Sequence, residues 1–260
     1  MNVLNTQLEI TIDAQTLQMH YGVGVLGPQP EYRTLDSIRP SLMDPLCSGP
    51  DPVYSIAMDV RLEEDEEDLK KRYLLFGVVA YAAGRLGQEP VRSQGHVHAI
   101  APHSGWPPPE LFEIWEGKAI IYAQQFASDH PGRCFAISAG PGEKVVVPPG
   151  WAHAAINADP GNTMVFGAVC DRQYGFEYTD VRGHGGLAWF PVIEPDGSIG
   201  WKANSRYEDR RLQERRSRTY PELDLDPHQS LYAQYRARPE SLEWVAQPQR
   251  YAELWPSFEP

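Results

Sequence analysis

Cysteine is almost absent from this chain. Cys47, Cys134 and Cys170 stand far apart without a CxxC pair, so neither a disulfide framework nor a thiolate zinc site is encoded. Positive charge is the minority sign: 23 Lys and Arg against 35 Asp and Glu leave a net charge of −12, without the clustered basic surface that a nucleic acid backbone requires. Long apolar runs are also missing. No stretch approaches the ~18 apolar residues of a membrane helix, and Met1-Asn-Val-Leu-Asn-Thr-Gln contains no basic segment leading into an apolar one. These absences predict a soluble protein of a reducing, cytoplasmic setting, with neither nucleic acid nor membrane as partner.

What is present reads as β structure. Tyr54, Ile56, Met58, Val60 and Leu62 alternate with Ser55, Ala57, Asp59 and Arg61, the period-2 pattern of a half-buried strand. The acidic run Glu63 to Asp68 follows, and Tyr73 to Ala83 is apolar again, so the run is expected to cap a hairpin in solvent. Short strands are predicted at Leu111–Trp115, Ala119–Ala123, Cys134–Ile137, Lys144–Val147, Ala154–Asn157 and Met164–Val169, and a hairpin at Trp189–Ile193 and Ile199–Trp201. Evenly spaced short strands with Gly, Pro, Asn and Asp between them indicate a sandwich or barrel. The expected organisation is one barrel over residues 1–202 and a partly helical extension over 203–260. That extension holds an arginine-rich stretch, a helix capped by Ser230 and a further one begun by Pro239. It is expected to pack on the barrel or on a second subunit.

The chemistry concentrates in two segments. Residues i and i+2 of a strand share a face, so His96 and His98 can offer two imidazoles to one ion. Glu110 and Gly117 complete the pattern H-x-H…E-x6-G, and Gly142 to Asn157 fits G-x5-P-x-G-x2-H-x3-N, which supplies His153. These are the two signature motifs of the cupin superfamily. The loop between His98 and Glu110, rich in proline and glycine, reads as an insertion that leaves its flanking strands in register. Glu113 would point away from Glu110 and Glu116 falls in a turn. His103 reads as a solvated loop histidine and His184 as an exposed glycine-loop histidine, with a role near the cavity mouth as its alternative. Three imidazoles with one carboxylate suit a divalent ion of iron, manganese, nickel, copper or zinc without choosing among them, and leave open positions for substrate oxygens; Fe²⁺ is the favoured expectation, with Mn²⁺, Ni²⁺ or Zn²⁺ as alternatives.

Asp51-Pro-Val-Tyr54, Gly95-His-Val-His-Ala99, Pro109-Glu110, Val147-Pro-Pro-Gly-Trp-Ala-His153, Asn157 and Gly175-Phe-Glu-Tyr178 together resemble the cupin-type glucose-6-phosphate isomerases known best from archaea. The resemblance spans roughly residues 50 to 205. It implies a double-stranded β-helix, a jelly-roll barrel, in a homodimer that interconverts glucose 6-phosphate and fructose 6-phosphate at a divalent metal. It assigns the ligands to His96, His98, Glu110 and His153, and it gives Glu110 a part in proton movement, with a hydride shift as the competing mechanism. Tyr54, Ser93, Gly95, Phe112, Phe176 and Tyr178 fall at its substrate positions, for a sugar or sugar phosphate.

The departures from that family are chemical. Its phosphate-holding threonine pair appears as Val79 and Ser93, and polar positions appear as Phe112, Phe176 and Cys170. Valine and phenylalanine donate no hydrogen bond. Two alternatives therefore stand beside the isomerase: an iron-dependent oxygenase or lyase acting on a small organic substrate, and a non-catalytic ligand-binding cupin.

Overall fold

The computed structural model describes residues 6–260. Two sheets face each other. The larger runs in the order Lys144–Val147, Glu110–Glu116, Met164–Asp171, Leu74–Tyr81, Tyr54–Met58 and Glu31–Arg33, with every pair antiparallel. The smaller runs Ala152–Asn157, Ala119–Gln124, Arg133–Ala139 and Arg211–Arg216, the last joining in parallel. Val79, Phe112, Ile114, Ile121, Phe135, Ile137, Val145 and Phe166 fill the space between them. Branched and aromatic side chains on the inward faces make this a packed jelly-roll barrel of the cupin type. The motif glycines serve its corners. Gly117 has φ of +80°, and a Cβ there would lie 2.7 Å from the Thr163 carbonyl oxygen; Gly150 has φ of +76° in the turn that leads into the strand of His153.

Both sheets are covered on their outer faces as well. Phe76, Val78, Leu111, Val146 and Val169 pack under an N-terminal hairpin bearing Ile10, Ile12, Leu17 and Met19, and under Tyr232, Tyr235, Leu242, Trp244 and Trp255 from the C-terminal end. Val181, Leu187, Ala188 and Tyr207 cover Tyr122, Ala136 and Ala154 of the smaller sheet. Fully burying one such side chain contributes about 1.5–3 kcal/mol. This double covering corrects the expected half-buried strand. In Tyr54–Met58 the positions expected to face solvent, Ser55 and Ala57, are fully buried beneath the covering segments while Ile56 and Met58 are half-buried at a cavity, and the alternation stops at Asp59, where φ is +77°.

The acidic run also differs from a solvent cap. Glu63–Asp65 forms a 3-10 turn and Glu66–Lys71 an α-helix. Its carboxylates hold the C-terminal end: Asp65 accepts from Tyr232 Oη at 2.7 Å, Asp68 from Tyr235 Oη at 2.9 Å, and Glu64 pairs with Arg236. Within the extension, the arginine-rich stretch supplies the edge strand Arg211–Arg216. Helix Leu231–Ala237 begins at Ser230, whose hydroxyl accepts from Ala233 N.

Glu113 points outward, as its alternation with Glu110 requires, and is buried where the extension crosses the barrel. It accepts from Trp115 Nε1 at 2.9 Å and from the backbone N of Leu231 at 3.1 Å, with Lys144 Nζ 3.4 Å away. Burial raises its carboxyl pKa above the ordinary 4.5, against the opposing pull of Lys144 and these donors. The folded state therefore holds that proton more tightly than the unfolded chain does. Relative to Glu113→Gln, the wild type should gain stability as pH falls through the raised folded value, with the gain complete below 4.5. Guanidinium unfolding of both proteins between neutral pH and pH 4 measures this, and the opposite slope would mean that the fold favours the charged carboxylate. Among the described residues no helix is long and apolar enough to cross a membrane.

Candidate metal centre

His96 and His153 face each other on neighbouring strands: His96 N donates to the His153 carbonyl at 3.1 Å and His153 N to the His96 carbonyl at 2.9 Å. Their rings are therefore forced together, with centroids 4.4 Å apart. Two residues on, His98 places its ring 5.2 Å from that of His96, as strand alternation requires. Glu110 opens the strand Glu110–Glu116 and enters from the larger sheet. One potential ligand atom from each of the four residues lies within 4.8 Å of the others, and this group can hold a metal ion.

Hydrogen bonding fixes how the group presents itself. The His98 Nδ1 lies 3.0 Å from the Pro108 carbonyl and the His153 Nδ1 lies 2.9 Å from the Trp151 carbonyl. A carbonyl oxygen can only accept, so both Nδ1 atoms carry hydrogen. In the neutral rings both Nε2 lone pairs then face Glu110 Oε2, at 3.3 and 2.8 Å. His96 Nε2 is buried and has no hydrogen-bond partner. Burial and the two neighbouring histidines hold the His96 pKa well below its ordinary value, so this ring stays neutral with a free lone pair. Burial raises the Glu110 pKa, but His153 and His98 donate to its carboxylate whenever their Nε2 atoms carry a proton, and this outweighs burial and holds the carboxyl below its ordinary value; a cation would take the place of those protons. Convergent lone pairs and one buried carboxylate are the donor set that a cation satisfies, and histidines whose far nitrogen donates to a backbone carbonyl are typical of such a site. The residues present fit a divalent ion.

The cavity above the group is lined by Tyr54, Ser93, Phe112, Phe176 and Tyr178, together with His96, Glu110 and His153. Gly95 is not among the lining residues. Its φ of +88° and its closeness to Leu187, 2.7 Å from where a Cβ would stand, give it a backbone role beside the site. His98 is buried below the cavity. Arg33, Ile56, Met58, Tyr81, Gln94, Ala155, Phe166 and Ala168 are further lining residues. No motif marks them, and the alternation in Tyr54, Ile56 and Met58 is the one sequence signal that could have found any of them.

Two histidines outside the group sit differently from expectation. His103 is not a solvated loop residue: its Nε2 lies 2.5 Å from the fully buried Asp171 carboxylate, and its ring stacks on Tyr73 at 4.0 Å. It anchors the inserted loop that carries the Pro108 carbonyl. His184 is off the cavity, between the Asp180 carbonyl and Asp129, and stacked on Tyr207. Trp151 packs on Phe135 and Trp106 on the outer core, and neither lines the cavity.

Glucose-6-phosphate isomerase of Thermococcus kodakarensis is 30% identical over 160 residues, which cover 61% of this chain and 75% of the relative. The Pyrococcus furiosus enzyme of the same name is 28% identical over 163 residues, 63% of this chain and 77% of the relative. Among solved structures, an oxalate oxidase in complex with the substrate analogue glycolate is 15% identical, with a TM-score of 0.29 over 39% of this chain and 43% of that one. The family model described as glucose-6-phosphate isomerase (GPI) matches residues 43–210, a span that contains all four residues of the group, and the chain belongs to that family of isomerases.

Proposed function

We propose that this protein is a metal-dependent aldose–ketose isomerase that interconverts glucose 6-phosphate and fructose 6-phosphate, with His96, His98, Glu110 and His153 as ligands of one divalent ion, Fe²⁺ before Mn²⁺, Ni²⁺ or Zn²⁺. The observation that carries this reading is the convergence of three imidazole lone pairs and a buried, ionised carboxylate at the floor of a cavity, within a chain of the glucose-6-phosphate isomerase family. When bound, such an ion polarises a carbonyl and makes a neighbouring hydroxyl more acidic.

The chain's own residues do the rest. His98 and His153 are held in one tautomer by the Pro108 and Trp151 carbonyls, so their orientation is set before substrate arrives. Glu110 takes the proton from the substrate carbon beside the carbonyl at a carboxylate oxygen and returns it to the adjacent carbon, while the proton of the neighbouring hydroxyl passes to the former carbonyl oxygen. Phe112, Phe166 and Phe176 keep the floor dry, which strengthens these interactions. Tyr54, Ser93 and Tyr178 offer hydroxyls to the sugar, and Gly95 shapes the backbone beside it. Organisation as a barrel of residues 1–202 with an extension of 203–260, a homodimer in the cytoplasm, is part of the same reading and rests on family likeness.

Formation of fructose 6-phosphate with iron, manganese, nickel or zinc supplied tests the proposal, and no turnover with any of them would refute the substrate. A second reading is favoured by the wall of Val79, Phe112, Phe166, Ala168 and Phe176, which offers no side-chain donor: an oxygenase or lyase acting on a small organic acid. Iron-dependent oxygen consumption with such acids would favour it.

A further inference from the structure

Among the described residues that line the cavity, Arg33 is the sole lysine or arginine. It lies in the short strand Glu31–Arg33, opposite Tyr54 in the register, and so belongs to a segment outside residues 43–210 that the family model matches. We propose that Arg33 is the anion-binding residue of this cavity, receiving the charged end of the substrate at the mouth while the reactive end faces Glu110 and the histidines. The inference rests on the isomerase reading for the identity of the anion, a phosphate monoester; a carboxylate would use the same guanidinium.

Three observations support it. Val79, Phe112, Phe166, Ala168 and Phe176 form a wall without donors, and the hydroxyls of Tyr54, Tyr81, Ser93 and Tyr178 bring hydrogen bonds but no positive charge to a dianion that must give up its hydration. Arg33 offers a planar fork that matches phosphate oxygens in pairs, and it stays charged at every physiological pH. Its present partner is also easily exchanged. Glu31 Oε2 lies 2.9 Å from Arg33 Nη1, but the Glu31 side chain is 71% exposed, and an ion pair at such a rim contributes little. Behind the mouth, Arg182 lies over the Tyr178 ring at 5.0 Å and donates to Gln94 Oε1 at 2.9 Å, which keeps these two lining residues in place.

Two variants, Arg33→Met and Glu31→Gln, test the assignment against the wild type. In the isomerase assay Arg33→Met should raise KM for fructose 6-phosphate by about 30-fold or more, a larger effect than on kcat, and Arg33→Lys should recover part of it, in line with the loss of one charge-assisted pair. Glu31→Gln should lower KM, because it removes the competing carboxylate. An independent arm uses calorimetry with sorbitol 6-phosphate, sorbitol and a sugar acid, none of which needs turnover. Wild type should favour an anionic ligand over sorbitol, and Arg33→Met should lose that preference. If the wild type turns over no hexose phosphate yet loses anion affinity on Arg33→Met, the isomerase reading fails and the anion site stands. Unchanged KM and unchanged anion preference in a folded Arg33→Met protein, or weaker binding in Glu31→Gln, would overturn the proposal.

Discussion

Glu110→Gln should lower isomerase turnover by about 10³-fold, within the usual range for removing a general base, while the metal-free protein still folds. The substitution keeps the shape of the side chain and removes its charge. In the wild type a buried carboxylate sits 2.8 Å from His153 Nε2 and 3.3 Å from His98 Nε2, an arrangement of acceptors that needs a proton or a metal ion between them. The amide introduced by the substitution can donate to one of those nitrogens, so the site keeps a hydrogen bond and the metal-free protein can still fold. It can neither take a proton nor contribute negative charge to a cation. Steady-state kinetics alongside guanidinium unfolding of metal-free protein separates the two effects. Turnover within about tenfold of wild type would remove Glu110 from the chemistry.

Arg92→Ala should destabilise the protein by about 3–5 kcal/mol, as expected when one partner of a buried ion pair is removed. Arg92 and Glu89 are almost fully buried, and Arg92 Nη2 lies 2.6 Å from Glu89 Oε1. The guanidinium also donates to the Ser41 and Ser93 carbonyls, and Glu89 accepts from Met43 N. One charge pair thus ties the segment of Ser41 and Met43 to the chain that carries Ser93 into the cavity. Alanine strands the carboxylate and leaves two carbonyls without a donor. The double variant Arg92→Met, Glu89→Leu should recover much of the loss, because no isolated charge remains. Denaturant midpoints of the three proteins, at unchanged slope, decide this; a cost below about 1 kcal/mol would mean that water reaches the pair.

The features that could be read from sequence are those fixed by short spacings. The four residues of the group follow from alternation within His96-Val-His98 and from turns at Gly117 and Gly150, where positive φ leaves few alternatives to glycine. Strand edges at Lys144–Val147 and Trp189–Ile193 coincide with the expected ones because turn residues bound them. Features made by distant partners were not legible. The acidic run forms a turn and helix that hold Tyr232 and Tyr235, 167 residues away in sequence from Asp65 and Asp68. His103 meets Asp171 across 68 residues, and nothing local to the inserted loop marks that pairing. Arg33 lines the cavity only because its strand adds to Tyr54–Met58 at the sheet edge, beside no motif. Tyr54–Met58 misled for the same reason, since the segments that bury its second face come from the two ends of the chain.

The most direct test of the central claim is metal titration of the stripped protein. Anaerobic calorimetry with Fe²⁺, repeated with Mn²⁺, Ni²⁺ and Zn²⁺, should give binding of a single ion per chain, lost in both His96→Ala and His153→Ala while circular dichroism stays that of the folded protein. Ion binding that survives in both variants, or no binding of any of the four ions by the wild type, would contradict the assignment of His96, His98, Glu110 and His153 as a metal centre.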